Sequence, residues 1–507
     1  MRQREEQLQQ PRPSIKREAA REFDLRAEPA ALPEAEPAFA IQRIVLKGDP
    51  LLDADEQEAI LRPFTGLRLG ENRINLLLRR LTAALIDKGY VTSRAYLGPQ
   101  NLAGGVLEVT LVAGRIEAVQ LDGKPVTGGA WAPLPFRPQQ WLRLPDLEQG
   151  IDQINRLPSS QAQMQILPGD APGGSVVAIR TAGRTPWRLA LGADNYGQDS
   201  TGTTRGRVSL EADNPFGLFD AWTLTHVQSR DSKASLLSVS VPWGYSTLSY
   251  SYTLSDYRTP IPGVTVIVGD SSNHTLGLNR VVHRDAVSKT ALDVGLTLRR
   301  AQRDVGGLAL TPQDMSVLRV AASRLRRWAG ADLSFEAGYV RGLKRFGADV
   351  DLDGLPATAP HSQFEKLDFN LAAVLNLSPA LSYRGTLSGQ RAQRGLQSSE
   401  QIFIGGAATV RGFKEGALAG DRGAYTRHEL HLTGAAGTVA AVPYVFYDYG
   451  RVRLIADPQW KALGAVGVGV RLAWKGLSLE ANGARPVTAP DSVERKSRLH
   501  LSLNYQF

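Results

Sequence analysis

The chain has no cysteine among its 507 residues, so neither a disulfide nor a thiolate can hold it together or act in it. A protein of the periplasm or cell surface that needs no disulfide does well without free thiols, although many cytosolic proteins also lack them. Nowhere does the sequence contain the ~18 consecutive apolar residues of a membrane-crossing helix. With 42% hydrophobic residues and a mean hydropathy of −0.20, a helical membrane protein is excluded. Nucleotide motifs are missing too: Gly464-Ala465-Val466-Gly467-Val468-Gly469 lies in an alternating strand pattern with no helix after it, and there is no Walker loop. Of the seven histidines, His428 and His431 stand three apart on a predicted strand, so they point to opposite faces and cannot share a metal. No catalytic set, metal site or cofactor site is expected. Met1-Arg2-Gln3-Arg4-Glu5-Glu6-Gln7 is polar and lacks the apolar stretch of a signal peptide. An exported protein needs one, so the sequence reads as a mature or trimmed chain.

What is present is alternation. The closing segment Arg498-Leu499-His500-Leu501-Ser502-Leu503-Asn504-Tyr505-Gln506-Phe507 places apolar and polar residues on opposite faces of one strand. Its length suits an outer-membrane barrel strand, with Leu499, Leu501, Leu503, Tyr505 and Phe507 on lipid. The competing reading is an edge strand of a soluble sandwich. From Gly183 onward the same pattern recurs, as in Leu292-Val294-Leu296-Leu298, Leu333-Phe335-Ala337-Tyr339 and Val466-Val468-Val470-Leu472-Trp474. Between those residues lie Asp293, Arg299, Glu336 and Arg471, which a soluble core would exclude. The alternating segments number about sixteen, an even count as single-chain bacterial barrels require. A net charge of +9 is spread along the polar faces of these segments, which favours a wet, basic interior over a nucleic-acid patch.

The preceding residues have a different period. Residues 1–38 are charged and then Ala- and Pro-rich, and read as a short polar helix and linker. From Phe39 a strand (Ala40 to Leu46) is followed by a helix capped by Asp53 and running to Leu61. A second helix carries Ile74, Leu77, Leu78, Leu81 and Leu85 up to the stop at Gly89. Two further strands, Arg94 to Leu97 and Val106 to Val112, complete a β-α-α-β-β unit of about 75 residues. The order then repeats, with strands near Ile116 to Leu121, Ala162 to Leu167 and Ser175 to Ile179 and a helix through Leu147, Ile151 and Ile154.

Three segments resemble a known family. Gly405-Gly406-Ala407-Ala408-Thr409-Val410-Arg411-Gly412-Phe413 is similar to the VRGF/Y loop motif of the Omp85 and two-partner-secretion transporters, and Phe446-Tyr447-Asp448-Tyr449-Gly450 to their F-x-D-x-G strand motif. Asn155-Arg156-Leu157-Pro158-Ser159 and Asp213-Asn214-Pro215-Phe216-Gly217-Leu218 look like the two-partner-secretion branch. The resemblance implies a plug helix and linker (1–38, the helix over Arg2 to Gln9), POTRA domains at 39–117 and 118–183, and a sixteen-stranded transmembrane β-barrel over 184–507. It also implies a loop folded into the barrel at about 395–421, locked there by Arg411 against Asp448. Alternation agrees for the aspartate, since Val445, Tyr447 and Tyr449 would face lipid and Phe446, Asp448 and Gly450 the lumen. Val410, Gly412 and Phe413 would belong to the lock, and Tyr505 with Phe507 to a signal read by the barrel-assembly machinery.

The implied function is a pore that recognises an unfolded exoprotein, of the TpsA type and through its amino-terminal secretion domain, and passes it to the cell surface without nucleotide hydrolysis. Outer-membrane lipid and lipopolysaccharide would surround a monomer; no nucleic acid, cofactor or enzymatic activity is implied. An extended client could add a strand to a POTRA sheet edge, and the groove of Leu147, Ile151 and Ile154 beside Gln163 and Gln165 is the expected place. An assembly factor that inserts other barrels remains the alternative, because that branch shares the VRGF loop and terminal strand. A passive porin or a barrel-anchored adhesin leaves residues 39–183 without a purpose, although Asp256 to Ser272 and Gly342 to Phe364 read as long outer loops.

Overall fold

The computed structural model describes residues 25, 28–34, 36–261, 263–436 and 439–507. The expected plug helix lies outside the described residues. At Arg184/Thr185 the chain divides into two compact units.

The amino-terminal unit holds two small α/β folds. In the first, β1 (Arg43–Gly48), α1 (Ala54–Leu61), α2 (Glu71–Asp87), β2 (Arg94–Tyr96) and β3 (Val106–Val112) follow the expected order. Strand β3 lies between β1, which runs parallel to it, and antiparallel β2. Helix α1 starts where Asp53 accepts the Glu56 backbone N–H and the Glu56 carboxylate accepts that of Asp53, a reciprocal cap that satisfies two otherwise orphaned donors. That contact holds the Asp53 carboxyl below its ordinary value, and hydrogen bonding to Glu56 raises the Lys88 ammonium. On α2 the apolar stripe Ile74, Leu77, Leu81 and Leu85 is buried, which is what its three-and-four spacing requires. The expected strand from Ala40 to Leu46 is broken. Phe39–Ala40 pairs instead with Arg68–Leu69, and Ile41 turns into the core before β1 begins.

The second fold consists of β4 (Arg115–Leu121), α3 (Leu144–Asn155), β5 (Gln163–Pro168) and β6 (Gly174–Arg180). Starting at Arg115, it precedes the expected boundary at 118, which would have cut through β4. Its first helix is reduced to a 3-10 turn at Gly128–Trp131, because Pro133, Pro135 and Pro138 leave no uninterrupted stretch in which a helix could propagate. The sheet runs Lys124–Pro125, β4, β6, β5, so β5 is an edge strand.

The second unit is a closed antiparallel barrel. Its sixteen long strands are β7 (Trp187–Asp194), β8 (Arg205–Asp213), β9 (Ala221–Gln228), β10 (Ser232–Trp243), β11 (Ser246–Ile261), β12 (Thr265–Arg284), β13 (Ser288–Val305), β14 (Gln313–Trp328), β15 (Ala331–Leu343), β16 (Glu365–Asn376), β17 (Leu381–Ala392), β18 (Arg422–Leu432), β19 (Val439–Arg453), β20 (Lys461–Trp474), β21 (Leu477–Thr488) and β22 (Arg498–Gln506). Leu308–Ala309 and Gly434–Ala436 are short extensions of the same sheet. Closure pairs Ala190–Asp194 of β7 with Ser502–Gln506 of β22. On β22, Leu499, Leu501 and Leu503 are exposed outward while His500 and Ser502 are buried inside, as the alternation predicts. Asp256 to Ser272 is not a loop. Residues from Asp256 to Ile261 pair with those from Thr265 to Asp270 as the end of the β11–β12 hairpin. The 344–364 connection does form an extended loop after β15.

Candidate functional site: an inward-folded loop held by a buried arginine

The 393–421 connection between β17 and β18 bears the VRGF segment and packs inside the barrel. Its stem is a short hairpin of Ile402–Ile404 with Leu418–Gly420. Gly405 then takes φ +106°, and a Cβ there would stand 2.5 Å from the Lys414 carbonyl oxygen. Only glycine fits that turn. Val410 and Phe413 are buried with Ile404, Tyr425, Val452, Leu463 and Ala465, so the tip has a small apolar core of its own.

Arg411 lies between those two residues and is 1% exposed. Its Nε donates to Asp448 Oδ2 at 2.6 Å and its Nη2 to Oδ1 at 2.7 Å, a two-pronged contact. The Arg411 backbone N–H donates to the same carboxylate at 3.1 Å, and Nη1 donates to Glu429 Oε1 at 2.7 Å. The guanidinium lies 3.5 Å from the centroid of the Phe446 ring, where the negative π-face favours a cation.

The register of β19 accounts for each position of the strand motif. Phe446, Asp448 and Gly450 are buried, whereas Val445 and Tyr447 are 52% and 43% exposed on the outer face. A Cβ on Gly450 would meet Tyr425 Cβ at 2.9 Å, Val410 Cγ2 at 3.1 Å and Ile404 Cγ2 at 3.2 Å, so the missing side chain is the socket that receives the loop. Gly412, at φ +87°, donates its N–H to His500 Nε2 at 3.4 Å. Its α-carbon faces Ala465 and Ala484.

Several partners were not singled out from the sequence. Glu429 also accepts from Arg427 at 3.2 Å and Arg471 at 3.1 Å, and lies 2.8 Å from His431 Nε2. Arg471 and Tyr444 both donate to Glu480. The signal was Arg427-x-Glu429-x-His431, polar at every second position on the strand whose Arg427 pairs in register with Asp448. Further along the loop, Glu400 accepts from Arg299 at 2.9 Å and lies 3.0 Å from Lys366 Nζ. Asp421 accepts the backbone N–H groups of Leu396 and Ile455.

The expected client groove is corrected in part. Leu147, Ile151 and Ile154 are 0%, 2% and 1% exposed; helix α3 turns this stripe into the core of its own fold, so these side chains cannot meet a client. Gln163 and Gln165 are exposed on edge strand β5. Tyr505 and Phe507 lie on the outer face with ring centroids 4.5 Å apart. Among the described residues no group of His, Cys, Asp and Glu is placed to hold a metal ion, and the His428 ring bonds the outward Tyr383 hydroxyl while His431 lies inside.

Residues 173–472 match the family of haemolysin secretion/activation proteins ShlB/FhaC/HecB, residues 39–114 a ShlB-type POTRA domain and 115–168 a further POTRA domain. The outer membrane transporter CdiB of Dickeya dadantii is 33% identical over 90% of this chain and 84% of its own length. The hemolysin transporter protein ShlB of Serratia marcescens is 31% identical over 89% and 83%. The solved structure of CdiB from Escherichia coli superposes with a TM-score of 0.89 and 28% identity, covering 95% of this chain and 94% of that one. With its POTRA domains assigned to the periplasm and its barrel to the outer membrane, the chain belongs to the ShlB/FhaC/HecB family, the outer-membrane transporters of two-partner secretion.

Proposed function

We propose that this transporter accepts one unfolded TpsA-type exoprotein in the periplasm, through the exoprotein's amino-terminal secretion domain, and passes it along the barrel lumen to the cell surface. The observation that carries this reading is the buried Arg411, whose bonds to Asp448 and Glu429 hold a loop inside the lumen of a barrel preceded by two POTRA domains. A solute porin has no use for the POTRA domains. Arg411, with Val410, Gly412 and Phe413 around it, acts as a latch that sets the position of the loop in the path. Capture begins at the outer edge of β5, where Gln163 and Gln165 flank backbone groups able to pair with any extended chain. The protein works as a monomer without cofactor or catalysis, in contact with outer-membrane lipid and lipopolysaccharide, after insertion by the barrel-assembly machinery. The same loop and terminal strand would suit an assembly factor, but the family match to secretion proteins over 173–472 favours transport.

The test is coexpression with a candidate TpsA-type exoprotein. The exoprotein should reach the medium only when the transporter is present. Retention in the periplasm in both cases would overturn the reading.

A further inference from the structure

The barrel interior has two unlike halves. Strand pairing and outward exposure fix which residues of β9 to β12 face inward: Leu224, Leu248, Leu254, Leu276 and Leu278 are 43% or more exposed on the outside, and the inward positions alternate with them. From Thr223 on β9 to Asn279 on β12 those inward positions carry no Asp, Glu, Lys or Arg. Hydroxyls and amides dominate there, among them Thr225, Ser238, Ser251, Thr253, Asn273 and Thr275. Lys233, Asp256, Arg258, Asp270 and Arg280 belong to the same strands, yet register places each of them on the outer face.

The remaining wall is different. Arg188 binds Glu211 and Asp213, Asp194 binds Arg205, and Arg319 binds Glu336 and Asp368. The Arg411 cluster sits on β18 and β19, which in a ring of sixteen strands lie eight places from β10 and β11. The latch is therefore diametrically opposite the uncharged wall, and its loop makes ion pairs with β13, β16, β18 and β19 and, through Lys414, with Asp199 and Glu494, none of them on β9–β12.

We infer that the exported polypeptide slides along the hydroxyl wall of β9–β12, its backbone exchanging hydrogen bonds with those side chains. The inference rests on the transport reading. An extended chain offers one N–H and one C=O per residue, and a hydroxyl, which both donates and accepts and can rotate, matches either. Such contacts exchange for hydrogen bonds to water with little net gain, so no step along the path is deep. A fixed charge would instead pin each client side chain of opposite sign through a charge-assisted bond. Keeping the ion pairs on the far wall, closed on one another, leaves the path smooth and independent of client sequence.

The absence of native cysteine makes the test direct. Single cysteines are placed on the hydroxyl wall (Ser251→Cys, Thr275→Cys) and on the charged wall (Ser334→Cys, Asn370→Cys), and the coexpressed TpsA-type exoprotein, carrying one cysteine and a disulfide-locked reporter at its end, is stalled in transit. Disulfide crosslinks should form several-fold more at Ser251→Cys and Thr275→Cys. Secretion by the wild type with equal crosslinking on both walls, or more on the charged one, overturns the wall assignment and leaves transport standing. No secretion by the wild type overturns both. As a second measurement, Ser251→Arg should lower secretion several-fold while Ser251→Thr retains it; equal secretion by the two overturns the assignment.

Discussion

Arg411 makes three kinds of contact at once, a forked ion pair, a second carboxylate and an aromatic face. A lysine offers one point charge and cannot reproduce the fork. Removing the arginine takes the forked partner from Asp448, a carboxylate closed to solvent, while Glu429 keeps Arg427 and Arg471, and breaking a buried pair from one side typically costs about 3–5 kcal/mol. Arg411→Ala, Asp448→Ala and Arg411→Lys are each expected to lower secretion strongly while the barrel still assembles. Secretion assays beside heat-modifiable gel migration check both halves, and unchanged secretion by both alanine variants would sink the latch. The double variant should lose less than the sum of the two singles, because the partners share one interaction. The pair itself became legible through the resemblance of two motifs. Glu429, Arg427 and Arg471 stayed hidden because an inward charge on a barrel strand looks the same in sequence whether it faces water or a partner.

At the scale of elements, β19 is a strand whose inner face is shaped for the loop. Gly450→Val would set a branched side chain where Val410 and Ile404 lie within 3.2 Å of a Cβ. The loop is expected to leave its seat, and protease cleavage near Ala407–Thr409 should rise in intact cells while the barrel remains heat-modifiable. Strand β22 carries the outer aromatic Tyr505, and Phe507 follows directly after it. Deleting Phe507 should reduce the amount of folded barrel in the outer membrane before any effect on secretion per barrel is seen, measured by quantifying both in the same cells. Alternation made these strands readable in the sequence, since period two with a wet face fits few other structures. Where the chain departs from simple periods the reading failed. The first helix of the second POTRA domain is lost to three prolines, and Pro260 and Gly263 make the end of the β11–β12 hairpin read as loop.

For the whole molecule, the division at Arg184/Thr185 separates the part that would meet the client from the part that conducts it. A chain lacking residues 39–183 should still insert as a heat-modifiable barrel yet secrete no exoprotein; assays of membrane fractions and medium distinguish the two. Secretion by that shortened chain would remove the POTRA domains from the mechanism. Helix periodicity revealed two tandem folds, but the groove assigned to α3 was misread, because an amphipathic stripe says which face is apolar and not whether a sheet already covers it. Edge position, which decides where an extended client could pair, is a property of strand order. Sequence alone does not show it.

The seat of Gly412 is built from Ala465, Ala484 and His500, residues of β20, β21 and β22, the last three strands of the barrel. The tip therefore has nowhere complete to rest until the carboxyl end of the barrel is in place. Loop docking belongs at the end of biogenesis, and a chain halted before its final strand would carry its latch without a keeper.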